Sequence, residues 1–91
     1  MEIEYDPDKE AANLAKHGVS LGRAADFEAL NVERDDRFRY GEERYRAWGI
    51  IDGRAYCLAF TLRGGAVRPI SLRRAHAKEM QRNAQQEPRV R

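Results

Sequence analysis

The sequence has one cysteine, two histidines and no long apolar segment, and each shortage excludes a class of protein. The lone Cys57 excludes an internal disulfide and fits a reducing compartment, so we expect a small core residue rather than a nucleophile. No apolar run approaches the roughly 20 residues of a membrane-spanning helix. The N-terminal segment MEIEYDPDKE is acidic and lacks an apolar stretch, so we expect no signal peptide, no membrane contact and a cytoplasmic protein.

The usual signatures of metal and cofactor sites are also missing. The two histidines lie 59 positions apart, and the sequence contains neither Cys-x-x-Cys nor His-x-x-x-His. Gly64-Gly65 lies between two predicted strands, which indicates a tight turn rather than a phosphate-binding loop before a helix. We therefore expect no metal and no cofactor.

Charge is plentiful and unevenly distributed over the 91 residues, 35% of which are charged. Residues 1–62 hold nine Lys/Arg and thirteen Asp/Glu, a net of −4. Residues 63–91 hold eight Lys/Arg and two Asp/Glu, a net of +6. A basic C-terminal third is typical of a chain that meets phosphates or an acidic partner, and the alternative is a solvated basic face. The length predicts one domain, which we place at residues 1–86 with a flexible tail at 87–91.

The N-terminal third predicts a short strand at Ile3–Tyr5 and then two helices. The first helix begins after Asp6, a good N-cap, with Pro7 at its first position, and it ends near His17 because Gly18 suits a left-handed cap. Its residues divide into a narrow apolar side of Ala11, Leu14 and Ala15 and a polar side of Lys9, Asn13, Lys16 and His17. Ser20 is expected to cap a second helix running to Leu30.

The rest of the chain predicts an antiparallel meander followed by a helix. A charged loop, DDRFRYGEE, separates a short strand from three longer ones at 44–51, 54–63 and 66–73. Asp52-Gly53 and Gly64-Gly65 predict tight turns, although a three-residue second loop would move Arg63 into the turn. A terminal helix is expected at 74–86. The order β-α-α-β-β-β-β-α predicts an α+β, two-layer domain.

The remaining polar residues suit metal-free cleavage of RNA, which needs a base, cations beside the phosphate and an acid. His17 can act as acid or base, Glu42 as a base, and Lys16 can lower the pKa of the neighbouring imidazole. Arg63 and Arg73 suit a phosphate because a guanidinium donates to two oxygens at once.

Each of these assignments has a structural alternative. His17 gains stability from the negative end of its helix, and Lys16 resembles an ordinary solvated lysine. Arg44 and Arg46 fit the exposed side of an alternating strand, and Glu42 and Glu43 can simply pair with them. Trp48 is expected in the core or at a partner contact, and stacking on a base is the lesser alternative.

Four segments in order resemble the BrnT family of bacterial type II toxins: YDPDKEAANLAKHGVSLGRAADF, GEERYRAWG, TLRGGAVRPISLRRA and KEM. The similarity spans about residues 3–82. It implies a RelE-like fold and a metal-independent endoribonuclease that inhibits translation. It also implies a cognate ribbon-helix-helix antitoxin (BrnA-like), a complex that is a heterotetramer or larger, and DNA contact only through that antitoxin.

The family's polar residues fall on eight positions of this chain: Lys9, Asn13, Lys16, His17, Glu42, Arg44, Arg63 and Arg73. We expect catalysis from Lys16, His17, Glu42, Arg44, Arg63 and Arg73, and RNA binding from Lys9, Asn13, Arg74 and Lys78. Pro69 interrupts the third long strand, so that strand should be irregular there or should have the backbone nitrogen of residue 69 facing outward, away from the ladder. The rival hypotheses are a non-catalytic RelE-like module that binds an antitoxin or nucleic acid, and an enzyme that cuts only ribosome-bound messages.

Overall fold

The structure is a computed structural model that describes residues 2–84. These residues contain four antiparallel strands and three short helical segments. The helical segments are α1 (Pro7–His17), a 3-10 helix (Leu21–Asp26) and α2 (Ala77–Asn83). The strands are β1 (Glu28–Arg34), β2 (Tyr45–Ile51), β3 (Arg54–Arg63) and β4 (Ala66–Arg74). The α+β class is confirmed. The tail predicted from residue 87 lies outside the described residues.

The limits of α1 follow from its two caps, as predicted. The Asp6 carboxylate accepts a hydrogen bond from the Asp8 amide at 2.7 Å, and Pro7 occupies the first turn. At the other end Gly18 is left-handed, with φ 73°, and its amide donates to the Leu14 carbonyl at 2.9 Å. Both signals act within a few residues, which is why the sequence predicts this helix well.

The face by which α1 docks is the reverse of the prediction. Leu14 is 46% exposed, and Ala11 and Ala15 are exposed too, whereas Asn13 is only 5% exposed. The Asn13 side-chain amide donates to the carbonyls of Val19 and Leu72 and accepts from the Leu72 amide. The helix is therefore held against β4 by hydrogen bonds to backbone, which apolar periodicity does not reveal.

The predicted second helix is wrong beyond Asp26. Ser20 does cap a helix, since its hydroxyl accepts from the Gly22 amide, but the helix is a 3-10 turn that closes at Phe27. The chain then extends as β1 and pairs with β2. A Cβ at Gly49 of β2 would collide with the Glu28 carbonyl, so this glycine lets β1 lie close. Strand pairing thus overrides the helical spacing of the sequence.

The sheet has the order β1-β2-β3-β4, with every neighbouring pair antiparallel. Asp52 and Gly53 both have positive φ, as do Gly64 and Gly65, so both predicted two-residue turns are confirmed. Arg63 pairs with Ala66, which excludes the three-residue alternative. The predicted strand at Ile3–Tyr5 is reduced to one parallel bridge from Ile3 to Val67.

Pro69 coincides with an irregularity in β4, as predicted. Phe60 pairs with Pro69 but Ala59 pairs with Ser71, so Ile70 is the extra residue of a bulge. Strand β4 is the last of the four, where a missing ladder donor is tolerated.

Each face of the sheet has its own apolar cluster. The 3-10 helix packs one face through Leu21 and Ala24, against Ile51, Leu58 and Leu72. On the other face Met80 of α2 packs with Trp48 and Cys57, both buried as expected. The two-layer prediction is therefore incomplete, because helical segments cover parts of both faces. Helix α2 begins three residues later than predicted, since Arg74 still pairs with Tyr56 in β4.

Asn13→Ala should destabilise the domain by about 2–3 kcal/mol, because it leaves a buried amide and carbonyl of Leu72 without partners. Urea unfolding measures the change. Leu14→Ala on the same helix is the matched control and should stay within about 0.5 kcal/mol. Equal effects of the two substitutions would contradict the role of Asn13 as a clamp.

Candidate functional site

Arginines concentrate on the sheet face that also carries α2. Strand pairing places Arg46, Ala59 and Ser71 in one row across β2, β3 and β4, with Trp48, Cys57 and Arg73 in the next row. A cavity of about 270 Å³ opens over these rows. We call it the arginine pocket, and its lining residues are Asp35, Arg37, Tyr40, Arg44, Arg46, Cys57, Ala59, Ile70, Ser71 and Arg73.

The loop between β1 and β2 is pinned to the arginine pocket by Asp35. This carboxylate is 6% exposed and accepts from Arg37 Nε at 2.8 Å, Arg37 Nη2 at 3.0 Å and the Tyr40 hydroxyl at 3.1 Å. These bonds, from Arg37 above all, hold the pKa of Asp35 well below its usual range. The Arg44 guanidinium lies over the Tyr40 ring, 4.2 Å from its centroid. The loop is thus ordered around the buried carboxylate of Asp35 and its ion pair with the exposed Arg37.

Arg73, an expected phosphate ligand, is bound to a carboxylate of α2. Its Nη1 and Nη2 donate to the two oxygens of Glu79 at 2.9 and 2.7 Å, and Trp48 Nε1 donates to the same carboxylate at 3.0 Å. The hydrogen bonds from Arg73 lower the pKa of Glu79 to about 2. Sequence analysis missed Glu79. Glu79 follows Arg73 by only six residues, which could have indicated an ion pair. The sequence, however, predicted that the terminal helix begins at residue 74, three residues before α2 begins, so the turn that brings the two side chains together was misplaced.

A second, smaller cavity of about 220 Å³ lies where α1 meets the bulge of β4. Lys9, Asn13, Lys16 and His17 line it from α1, and Ile70 and Ser71 line it from β4. Ile70 and Ser71 also line the arginine pocket, so the two cavities are neighbours. We call the pair the α1–β4 site.

His17 has a pKa below its ordinary value. Partial burial is the largest cause, and the charges of Lys16 and Arg73 add to it. The imidazole is therefore mostly neutral at pH 7 and can accept a proton.

The expected site residues do not all meet. Glu42 bridges Arg44 at 3.2 Å and Arg63 at 3.7 Å, and Glu42 and Arg63 line a separate depression beside Thr61. Neither of them lines the α1–β4 site. Lys16, His17, Arg44 and Arg73 do line it, as does Lys9.

Two of the expected RNA-binding residues are placed unfavourably for that role. Both amide hydrogens of Asn13 are used by backbone carbonyls, so its side chain is a structural clamp. Arg74 pairs with Tyr56 on the opposite face and lies over that ring at 5.6 Å. Lys78 is exposed on α2. Conversely, sequence analysis did not select Asp35, Arg37, Tyr40, Arg46 or Ser71.

Within residues 2–84, no three His, Cys, Asp or Glu side chains are grouped as ligands of a metal ion. None of the helices in that range has the length and apolar character needed to cross a bilayer.

Comparison with known proteins identifies the family. A family model described as the ribonuclease toxin BrnT of type II toxin–antitoxin systems matches residues 5–79. The chain belongs to the BrnT family. The resemblance found in the sequence is therefore confirmed, and with it the coarse function of a ribonuclease toxin that has an antitoxin partner.

A solved BrnT structure supports the assignment. The crystal structure of the Brucella abortus ribonuclease toxin BrnT, at 1.1 Å resolution, matches this BrnT-family chain with a TM-score of 0.64 and 28% identity. The match covers 84% of this chain and 97% of the Brucella chain. No curated protein sequence matches.

Glu79→Gln should destabilise the folded state at pH 7 by about 2–3 kcal/mol, since it leaves the Arg73 guanidinium without its carboxylate. The folded pKa of Glu79 is lowered from 4.5 to about 2, so its contribution is complete above about 4.5 and disappears as the pH falls towards 2. Urea unfolding followed by Trp48 fluorescence at pH 7 and pH 3 measures both effects. Exposed Glu28→Gln is the control; a deficit independent of pH would contradict this account.

Proposed function

We propose that this BrnT-family toxin is a metal-independent endoribonuclease whose active centre is the α1–β4 site. The observation that carries the proposal is the juxtaposition of His17, whose pKa is lowered, with the four guanidiniums that line the adjoining arginine pocket. A proton acceptor beside clustered cations is what the internal attack of a 2′-hydroxyl on phosphate needs.

In the proposed reaction His17 accepts the proton of the 2′-hydroxyl as the 2′-oxygen bonds to phosphorus. The bond from phosphorus to the 5′-oxygen then breaks, and the departing oxygen takes a proton. Lys16 lines the same cavity as His17 and is our candidate for that donor. Water is not consumed in this step, so the product end is a 2′,3′-cyclic phosphate.

The arginines stabilise the extra negative charge that develops on the phosphate. Arg73 is held in place by Glu79, and Arg44 by Glu42 and the Tyr40 ring. A cation fixed in advance needs no reorganisation as the charge develops. Glu42 is already engaged by two arginines, so we assign it the positioning of Arg44 rather than the base step. Lys9, Lys78 and Arg63 are assigned to RNA on either side of the cleaved bond.

The cellular role follows from the family and remains part of the proposal. The toxin cleaves RNA in the cytoplasm, inhibits translation and is neutralised by a cognate ribbon-helix-helix antitoxin, in a complex that is a heterotetramer or larger. DNA contact occurs through that antitoxin. A RelE-like relationship of the fold belongs to the same proposal.

A second candidate function has one observation in its favour. Three arginines of the pocket, Arg37, Arg44 and Arg73, each bind a carboxylate within 3.2 Å. A guanidinium that is already paired is less available to a reacting phosphate, which favours a domain that only binds an antitoxin or nucleic acid. Expression in bacteria separates the two. The enzyme arrests growth unless the antitoxin is co-expressed, whereas the binding module does not.

His17→Ala should lower RNA cleavage in EDTA by about 10²- to 10⁴-fold, because it removes the proton acceptor. Cleavage by the wild-type protein should rise as the pH increases through a pKa below 6.5, since the base must be neutral. Gel analysis of a labelled RNA measures the rate, with free and ribosome-bound message compared.

His76→Ala is the matched control, because His76 is exposed and its side chain makes no capping hydrogen bond at the start of α2. It should retain wild-type cleavage. The site assignment fails if the two histidine substitutions have equal effects.

A further inference from the structure

Arg46 differs from the other arginines of the arginine pocket in what surrounds it. It is the second residue of β2 and lies between Glu33 of β1 and Ala59 of β3 in the sheet. Its guanidinium lies over the Trp48 ring, 5.1 Å from the centroid. It lines the pocket together with Arg37, Arg44 and Arg73.

The other three guanidiniums of the pocket are each already paired with a carboxylate. Arg37 is bound by Asp35 at 2.8 Å, Arg44 by Glu42 at 3.2 Å and Arg73 by Glu79 at 2.7 Å. The side chain of Arg46 makes no hydrogen bond and no ion pair with any of residues 2–84, although Glu33 is its neighbour in the sheet. Among the described residues that line this pocket, Arg46 is therefore the arginine without a carboxylate partner.

One atom of Arg46 is in an unfavourable position in the free protein. Its Nε is buried and has no hydrogen-bond partner in the described part of the chain. A buried donor without an acceptor destabilises the folded state unless a ligand or water accepts from it. The contact with the Trp48 ring satisfies none of the N–H groups of the guanidinium. The arrangement therefore leaves donors unused at the wall of a cavity.

We propose that Arg46 is the primary phosphate-binding residue of the arginine pocket, and that a phosphate oxygen of RNA accepts from its guanidinium. The identity of the ligand as RNA rests on the proposed function. A phosphate group suits the site because a guanidinium donates to two of its oxygens and because the pocket, about 270 Å³, admits it. Arg73 stays bound to Glu79 and acts on the same phosphate through its charge.

A purely structural role for Arg46 makes a different prediction. If the side chain only covers Trp48, its replacement changes stability and leaves affinity for RNA and its salt dependence unchanged. Binding and stability must therefore be measured on the same variants.

The test measures binding of a fluorescent single-stranded RNA in which every 2′-hydroxyl is methylated, so that cleavage cannot occur. Fluorescence anisotropy over a series of salt concentrations gives the affinity and its slope. Arg46→Gln should bind about tenfold more weakly, with a log–log salt slope shallower by about 0.7, the value for one lost phosphate contact on a single strand. The control is Arg54→Gln, an exposed arginine at the start of β3, which should match the wild type.

A second measurement on the wild-type protein does not depend on the folding of any variant. Inorganic phosphate is titrated while the arginine Nε–H resonances are followed by ¹H–¹⁵N NMR. The Arg46 resonance should shift and saturate, and that of Arg73 should move less.

The outcomes separate this inference from the proposed function. Equal affinity and slope for the Arg46 and Arg54 variants overturns the inference, and so does a phosphate response at Arg73 without one at Arg46. Where Arg46→Gln does not fold, the phosphate titration alone decides. Binding that depends on Arg46, in a protein that cleaves no RNA and does not arrest growth, supports the inference and overturns the proposed function.

Discussion

The hydrogen bonds between Asn13 and Leu72 are the constraint on which the site depends. They run in both directions, because the Asn13 amide donates to the Leu72 carbonyl and accepts from its N–H. Two such bonds fix the position of α1 along the length of β4 as well as its distance from the strand. Since α1 is a rigid helix, fixing Asn13 also fixes Lys16 and His17, one turn further on. The proposed proton acceptor, His17, is thus positioned by a residue to which we assign no chemistry.

Strand β4 links the two halves of the site because of its bulge. The extra residue, Ile70, reverses the alternation of side chains between the two faces of the sheet beyond this point. Ile70 and Ser71 line both the α1 cavity and the arginine pocket. Beyond the bulge, Leu72 faces the core and Arg73 faces Glu79. In a regular strand without the extra residue, Leu72 and Arg73 would each point to the other face of the sheet. The irregularity that proline introduces is therefore a feature on which the site is built.

Sequence analysis succeeded where the decisive interactions are local. The caps of α1 and the two tight turns depend on a few adjacent residues, and all of them were predicted. It failed at the second helix, because Phe27–Leu30 has apolar residues compatible with a helix, while the backbone partner that makes it a strand is β2, some twenty residues later. It also misjudged Asn13 and missed Glu79, whose roles depend on contacts that form only when elements pack. The chemistry of the side chains and the family resemblance both pointed to His17, Lys16 and Arg73, but neither supplied their geometry.

Charge compensation explains how so many arginines coexist on one small face. Like charges in a half-buried cavity repel one another, and a carboxylate beside each of Arg37, Arg44 and Arg73 removes most of that repulsion. The same carboxylates hold the guanidiniums in fixed positions, which favours stabilisation of a developing charge but weakens ground-state attraction for a phosphate. A site in which every cation were paired would bind RNA poorly. Under the proposed mechanism, the one arginine of the pocket that is unpaired among the described residues divides the two tasks: Arg46 attracts the phosphate, and the paired cations act on it once it is bound.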